Sequence, residues 1–179
     1  MTATYPPKRN RWGVARRAFA ALPTTVQEYY FRGDSACWEK ELLNWLRDEK
    51  RSDGPQGPVT FGISVRMTPN LKKHIVRLGE NLWKPYREDA GRISECANVL
   101  NYWPEEEERP EGAGPLRYIA IRTRKRHGEW FADGSEVKYF AVGRNRWDWE
   151  AARLLEWQRE KAGTIEARHD VLKNDLGAC

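Results

Sequence analysis

Two stretches with strand character, separated by a tight turn and a helical pattern, constrain the fold of this chain more than any other feature. Residues 26–32 are rich in β-branched and aromatic side chains, as buried strands are. Residues 33–35 (Gly-Asp-Ser) form a turn signal, and apolar residues then recur at helical spacing over residues 36–49. Residues 59–67 again have strand character. Strands on either side of a helix at this spacing predict a parallel pair, and therefore an α/β fold.

Asp34 directly follows the first predicted strand. Ligands of open α/β sheets collect at the carboxyl ends of the strands, so Asp34 is a candidate for a binding or catalytic carboxylate. The alternative is a structural role, because an Asp at this position can accept a hydrogen bond from the first turn of the next helix. The sequence pattern alone favours the capping role.

A second helix is predicted over residues 70–78, with Thr68 as its cap and Pro69 at its first position. A third begins near residue 145, where Asp148 can serve as the cap. Gly163 could separate this third helix from a further one, or only bend it.

The most basic part of the chain is a predicted β-hairpin. Residues 116–126 and 136–144 both alternate apolar and polar side chains and flank a turn signal. Between residues 116 and 146 there are eight Lys or Arg and three Asp or Glu, a net charge of +5. Such a surface could bind the phosphates of DNA, or its charges could protect an edge strand from pairing. The candidate phosphate ligands are arginines of the first strand, namely Arg122, Arg124 and Arg126.

Near the C-terminus, residues 159–174 place several charged side chains on one face of a predicted helix. Glu166, Asp170 and Lys173 recur at i, i+4 and i+7, and Arg159 lies seven residues before Glu166. A face of this kind is ordinarily solvated and stabilised by ion pairs within the helix. The other side carries apolar residues that can be buried.

The sequence of this segment resembles the final signature of bacterial insertion-sequence transposases of the DDE type. It reads REKAGTIE, and a lysine follows seven residues after the last glutamate of this motif. The signature glutamate corresponds to Glu166 and the lysine to Lys173. The stretch EYYFRGDSACWEKELL resembles the strand, Asp and helix that carry the family's second acid, which corresponds to Asp34. Arg159 and Ala162 stand where the broader superfamily has Tyr and Arg, so those two roles are not carried over.

The resemblance covers nearly all of residues 16–178 and implies a fold. We expect an α/β (α+β) protein with an incomplete ribonuclease-H-like core and an inserted, mostly antiparallel β subdomain. The resemblance implies four divisions. They are a disordered basic arm (residues 1–11), the first part of the core (12–79), the β-rich insertion (80–146) and the C-terminal helices of the core (147–179).

The resemblance also implies a reaction. In this family bound Mg²⁺ (or Mn²⁺) supports phosphoryl transfer at transposon ends, and the ligands here would be Asp34 and Glu166. The expected partners are double-stranded DNA and either a second copy of the chain or an intact transposase. Basic residues of the C-terminal helix are further candidate DNA contacts, namely Arg159, Lys161 and Lys173.

The family's first catalytic Asp has no counterpart, because no acidic residue precedes Glu28. The chain also stops where family members continue with further helices. We therefore expect a transposase truncated at both ends and impaired in catalysis. Two alternatives stay open. One is a non-catalytic DNA-binding or transposase-inhibiting remnant, and the other is an unrelated ribonuclease-H-like nuclease that uses Glu28, Asp34 and either Asp148 or Glu166.

Composition limits the remaining classes of protein. The chain has no apolar run of the roughly 18 residues that a membrane-spanning helix needs, and no apolar segment typical of a signal peptide. Its three cysteines match no zinc-binding spacing, which indicates a reduced, intracellular protein. The formal net charge of +5 favours an anionic partner. Together with the resemblance, these features imply a bacterial cytoplasmic protein associated with the nucleoid.

Overall fold

One six-stranded mixed sheet forms the centre of a mixed α/β fold. The computed structural model describes residues 10–89, 91–100, 102, 104 and 116–170, and of residues 161–170 it describes the backbone alone. The strands are β1 (Tyr29–Gly33), β2 (Val59–Ser64), β3 (Lys84–Asp89), β4 (Arg92–Val99), β5 (Arg117–Lys125) and β6 (Val137–Arg144). The helices are α1 (Arg11–Ala20), α2 (Lys40–Arg47), α3 (Pro69–Val76) and α4 (Ala151–Asp170).

The strands lie in the order β1-β2-β6-β5-β4-β3. β1 and β2 are parallel, which confirms the prediction from the strand–helix–strand pattern, and all other neighbours are antiparallel. The predicted hairpin is present as β5 and β6. β2 is hydrogen-bonded to β6, so a single sheet runs across the division expected at residue 80.

Helices cover both faces of this sheet. α1, α2 and α3 pack on one face in the main apolar core, where Trp38 lies against Tyr118 of β5. α4 packs on the other face with Cys96, Ile119 and Val142. A strand that is covered on both sides has few solvent-facing positions, and this limits the solvent exposure of the arginine side chains of β5.

Two helix starts follow directly from the sequence. The Thr68 hydroxyl accepts a hydrogen bond from the Leu71 amide and Pro69 occupies the first turn of α3, as predicted. The Asn10 side chain caps α1 in the same way through the Gly13 amide. Arg11, expected in the basic arm, begins α1 and is paired with Glu39, whereas the rest of that arm, residues 1–9, lies outside the described residues.

Several predicted boundaries were wrong. The helix expected over residues 36–49 is divided into a 3₁₀ turn, Ser35–Cys37, and α2, because Trp38 leaves helical geometry to enter the core. β1 begins at Tyr29 rather than residue 26, opposite Val59, the first residue of β2. The antiparallel pair of β3 and β4 lies within the predicted β-rich insertion, but neither strand was located from the sequence.

The C-terminal helix also differs from its prediction. Asp148 does not cap it, because the Asp148 carboxylate is bound by Arg146, and α4 begins at Ala151. The helix then continues past Gly163 without a break. None of the helices among the described residues is long and apolar enough to cross a membrane.

Candidate active site and basic surfaces

Asp34 lies where the sequence predicts it, at the carboxyl end of β1. Its side chain is exposed, and one carboxylate oxygen accepts a hydrogen bond of 2.9 Å from the Ala36 amide. Asp34 therefore caps the 3₁₀ turn, the structural role that the pattern favoured. Burial, with a contribution from the negative charge of Asp34, raises the pKa of the neighbouring Cys37 thiol.

The helix that carries Glu166 is anchored to the end of β1. The buried Gln158 amide of α4 donates a hydrogen bond of 2.7 Å to the carbonyl of Gly33, the last residue of the strand. Arg32 donates to the Trp157 carbonyl at 2.6 Å and to the Glu160 carboxylate at 3.1 Å. α4 is thus held by the two residues that precede Asp34.

Glu166 itself lies on α4, six residues beyond Glu160, and its side chain is outside the described part of the structure. At a rise of about 1.5 Å per residue, it is about 9 Å farther along the helix axis than Glu160. The structure therefore brings the helix of Glu166 to the strand end of Asp34. It does not describe a contact between the two carboxylates.

A divalent metal ion needs more ligands than the described residues offer here. Asp34 fits one position of a Mg²⁺ or Mn²⁺ site, since both ions prefer carboxylate oxygens. Among the described residues, however, no three His, Cys, Asp or Glu side chains are grouped in a way that could hold a metal ion. The described residues alone therefore do not complete such a site.

Within the described residues, the carboxylates considered for an unrelated nuclease form no metal-binding group either. Glu28 accepts a hydrogen bond of 2.7 Å from the Tyr30 hydroxyl. Asp148 is bound by two nitrogens of Arg146, which lowers the pKa of the Asp148 carboxyl to about 2. Neither carboxylate belongs to a metal-binding group with Asp34 within the described residues.

Arg122 occupies a different environment from the one expected for a DNA contact. Its side chain is only 5% exposed, and it donates hydrogen bonds of 2.7 Å to both Glu80 and Glu95. The guanidinium also lies over the Trp83 ring, 4.5 Å from its centroid. The hydrogen bonds that Arg122 donates to Glu80 and Glu95 raise the pKa of its guanidinium. A direct phosphate contact by Arg122 would require all of these contacts to break.

The other arginines predicted to contact DNA are more exposed, but each has a carboxylate nearby. Arg124 lies 3.7 Å from Glu95, and Arg126 is paired with Glu88. Arg159 lies 4.0 Å from Asp89. Lys161 is on α4 with its side chain outside the described part, and Lys173 lies outside the described residues. Much of the predicted basic surface is therefore locally neutralised.

A second basic surface, on α3, was missed. Leu71 and Ile75 are buried, whereas the outer face of the helix exposes Lys72, Lys73 and Arg77. No described carboxylate is paired with any of these three cations. A sequence signal existed, because residues 65–79 contain no Asp or Glu. We call Lys72, Lys73 and Arg77 the α3 basic face.

Comparisons of the chain with family models, with curated proteins and with solved structures find no match.

Proposed function

We propose that this chain is part of a DDE-type DNA transposase. It would bind DNA and contribute Asp34 and Glu166 to a site for metal-dependent phosphoryl transfer on a ribonuclease-H-like core. The observation that carries the proposal is the anchoring of α4 to β1 through Gln158 and Arg32. In this contact α4, the helix that carries Glu166, lies beside β1, whose last residue directly precedes Asp34.

The setting of Asp34 supports a catalytic role. β1 and β2 are the parallel pair of the sheet, and the carboxyl ends of parallel strands are where α/β proteins hold their ligands. The exposed carboxylate of Asp34 would coordinate a metal ion, and the 3₁₀ turn that Asp34 caps would hold this carboxylate in position. A bound Mg²⁺ would supply activation of the attacking oxygen and stabilisation of the leaving oxygen.

The α3 basic face is the described surface that best suits DNA binding. Three exposed cations without paired carboxylates can each displace a counterion from a phosphate, whereas ion-paired arginines must first lose a partner. The helix of this face follows β2, whose neighbour β1 ends at Asp34. DNA on this face would therefore approach the sheet from the side of α1, α2 and α3.

A non-catalytic DNA-binding or transposase-inhibiting role is the second candidate. It is favoured by the α3 basic face, because these exposed cations could bind DNA phosphates without any metal ion. In this case DNA binding would remain, and a partner chain would provide any catalysis.

Nicking of supercoiled plasmid in Mg²⁺ or Mn²⁺ tests the catalytic proposal. Asp34→Asn is the most informative variant, since the Asn oxygen can still cap the 3₁₀ turn while the negative charge is lost. Because impaired catalysis is expected, the parent chain should nick only weakly, and this nicking should be lost in Asp34→Asn and Glu166→Gln. Asp133→Asn is the matched control, because Asp133 caps a turn at Ser135 in the distant hairpin.

Nicking that persists in Asp34→Asn would refute the assignment of Asp34. Absence of nicking in the parent chain, with DNA binding retained, would favour the non-catalytic role.

Salt dependence of binding to a short DNA duplex tests the surface. Replacing Lys72, Lys73 and Arg77 with Gln should lower the slope of log affinity against log salt by about 2.7, or about 0.9 per lost contact. The control is the double change Arg124→Gln and Arg126→Gln, for which we expect a smaller effect. An unchanged slope in the triple variant would exclude the α3 basic face as the DNA-binding surface.

A further inference from the structure

Three arginines and a glycine form a row across four neighbouring strands. Arg32 of β1 is opposite Gly62 of β2, Gly62 is opposite Arg144 of β6, and Arg144 is opposite Arg117 of β5. Cross-strand partners share one face of a sheet. In this row it is the face covered by α4, because a side chain at Gly62 would collide with Trp157 of that helix.

The two outer arginines of the row have hydrogen-bond acceptors. Arg32 donates to the Trp157 carbonyl and to Glu160, as described above. Arg117 donates to the Asn98 side chain at 2.8 Å and to the carbonyls of Trp147 and Trp149 at 3.3 and 2.5 Å. These bonds hold the segment that leads into α4.

Arg144, between them, has no acceptor. Its side chain is 0% exposed, and none of its three nitrogens has a hydrogen-bond partner among the described residues. One acceptor near Gly62, the Oε1 atom of Gln158, is also unpartnered. A single amide oxygen cannot satisfy the five N–H donors of a guanidinium. Buried polar groups are normally paired, so this cation calls for a specific explanation.

The surroundings of Arg144 attract an anion. Burial, together with the positive charge of Arg117, lowers the pKa of Arg144 to about 10, so the group is still charged at neutral pH. The negative charge of Asp148 acts on Arg144, but the Asp148 carboxylate is hydrogen-bonded to Arg146. Among the described residues, no carboxylate is hydrogen-bonded to Arg144.

A cavity lies beside this site. Its volume is about 380 Å³, and its lining includes the indoles of Trp147 and Trp149. Its charged lining residues are two cations, Lys84 and Arg117, and two carboxylates, Asp148 and Glu150. Trp149 also lies over the Arg144 guanidinium, 5.5 Å from the ring centroid to Cζ. The Trp149 side chain therefore borders the cavity and also contacts the Arg144 guanidinium.

We propose that Arg144 anchors an oxyanion site that takes a phosphoryl group, entering from this cavity as the Trp149 indole moves aside. A guanidinium binds phosphate oxygens through two parallel hydrogen bonds. Lys84 and Arg117 balance the carboxylates of Asp148 and Glu150 in the cavity lining, so Arg144 supplies the further positive charge that would hold the anion. The phosphoryl group is either free phosphate or a phosphate of a DNA backbone. The site does not depend on catalysis at Asp34.

The test is thermal unfolding of the full chain in sodium phosphate, compared with sodium chloride at equal ionic strength. We expect phosphate to raise the Tm of the parent chain by about 3 °C or more, through preferential binding to the folded state. In Arg144→Met the phosphate effect should disappear, while its Tm in chloride should equal or exceed that of the parent. Arg153→Met is the matched control, because Arg153 is exposed but lies over the same Trp149 ring at 5.0 Å.

A phosphate effect that is equal in Arg144→Met and the parent would overturn the site. If Arg144→Met does not fold, the parent chain still decides, since the absence of any phosphate effect beyond chloride refutes the proposal.

Competition distinguishes the two sources of the phosphoryl group. If phosphate displaces a short duplex, and Arg144→Met lowers the salt slope of duplex binding by about 0.9, the ligand is a backbone phosphate. If the thermal effect is present and duplex binding is unchanged, the ligand is free phosphate or a small phosphate ester.

Discussion

Replacement of Arg122 by Met should destabilise the fold without any direct effect on DNA binding. Met keeps the length and apolar contact of the side chain over Trp83 but removes every charged hydrogen bond. Hydrogen bonds to charged groups contribute about 1.5–3 kcal/mol each when their partner cannot be resolvated. Glu80 is about three-quarters exposed and regains water, whereas Glu95 is only about one-quarter exposed. We therefore expect the free energy of unfolding to fall by about 2–3 kcal/mol, which is mostly the cost at Glu95.

Urea denaturation, followed by tryptophan fluorescence and by far-ultraviolet circular dichroism, measures this change. The matched control is Arg124→Met on the same strand, since Arg124 is 43% exposed and makes one long contact of 3.7 Å with Glu95. An exposed pair of this kind contributes little, so the control should change by less than about 1 kcal/mol. Adding Glu95→Gln to Arg122→Met should recover part of the loss, because it removes the unpaired charge.

Two results would refute this reasoning. If Arg122→Met and Arg124→Met have equal stability, Arg122 is not buried between two carboxylates in solution. If Arg122→Met remains stable and its salt slope for DNA binding falls by about 0.9, its guanidinium contacts a phosphate.

Three further predictions concern the fold. Gly143→Ala should lower the Tm measured by calorimetry, because a Cβ atom there would lie 2.4 Å from the Trp38 ring; overpacking of this kind costs about 1–3 kcal/mol, and an unchanged Tm would contradict the contact. Thr68→Ala should lower the free energy of unfolding by about 1 kcal/mol through loss of the α3 cap, whereas Thr68→Ser should retain most of it. Hydrogen bonds from Ser135 and Lys138 lower the pKa of Asp133 to about 2, and hydrogen bonds from Arg146 lower the pKa of Asp148 to about 2. Their contribution to stability should therefore be present above pH 4 and be lost as the pH falls toward 2, and acid titration of the Asp133→Asn, Asp148→Asn double variant should show a weaker decline in that range.

The elements that could be predicted from the sequence have strong local signals. The Thr68–Pro69 pair fixes the start of α3, and the turn after β1 places Asp34. β3 and β4 gave no such signal, because β4 alternates poorly and carries Glu95 near its middle. That carboxylate is tolerated only because Arg122 is opposite it in the register of the sheet, a pairing that sequence spacing does not show.

The arginines of β5 show why the basic surface was misplaced. The prediction treated the arginines of this strand as one solvated surface and assigned Arg122, Arg124 and Arg126 to DNA phosphates. A strict period of two instead puts Arg117 on the α4 face and Arg122 and Arg124 on the opposite face. Because both faces of the sheet are covered, neither set is freely solvated. Arg117 donates a hydrogen bond to the Trp149 carbonyl, and Arg122 forms an ion pair with Glu80. Local alternation cannot reveal whether a second layer covers a strand.

Gly62 connects the candidate active site with the Arg144 site. Its bare α-carbon allows Trp157 and Gln158 of α4 to approach β2, where an added Cβ would lie 2.9 and 3.3 Å from them. The same approach lets Gln158 reach the Gly33 carbonyl beside Asp34, and brings Trp157 against Trp149, which covers Arg144. A side chain at residue 62 would push α4 away from the sheet. The bond next to Asp34 and the cover over Arg144 would then be lost together, although the two proposed sites bind different groups.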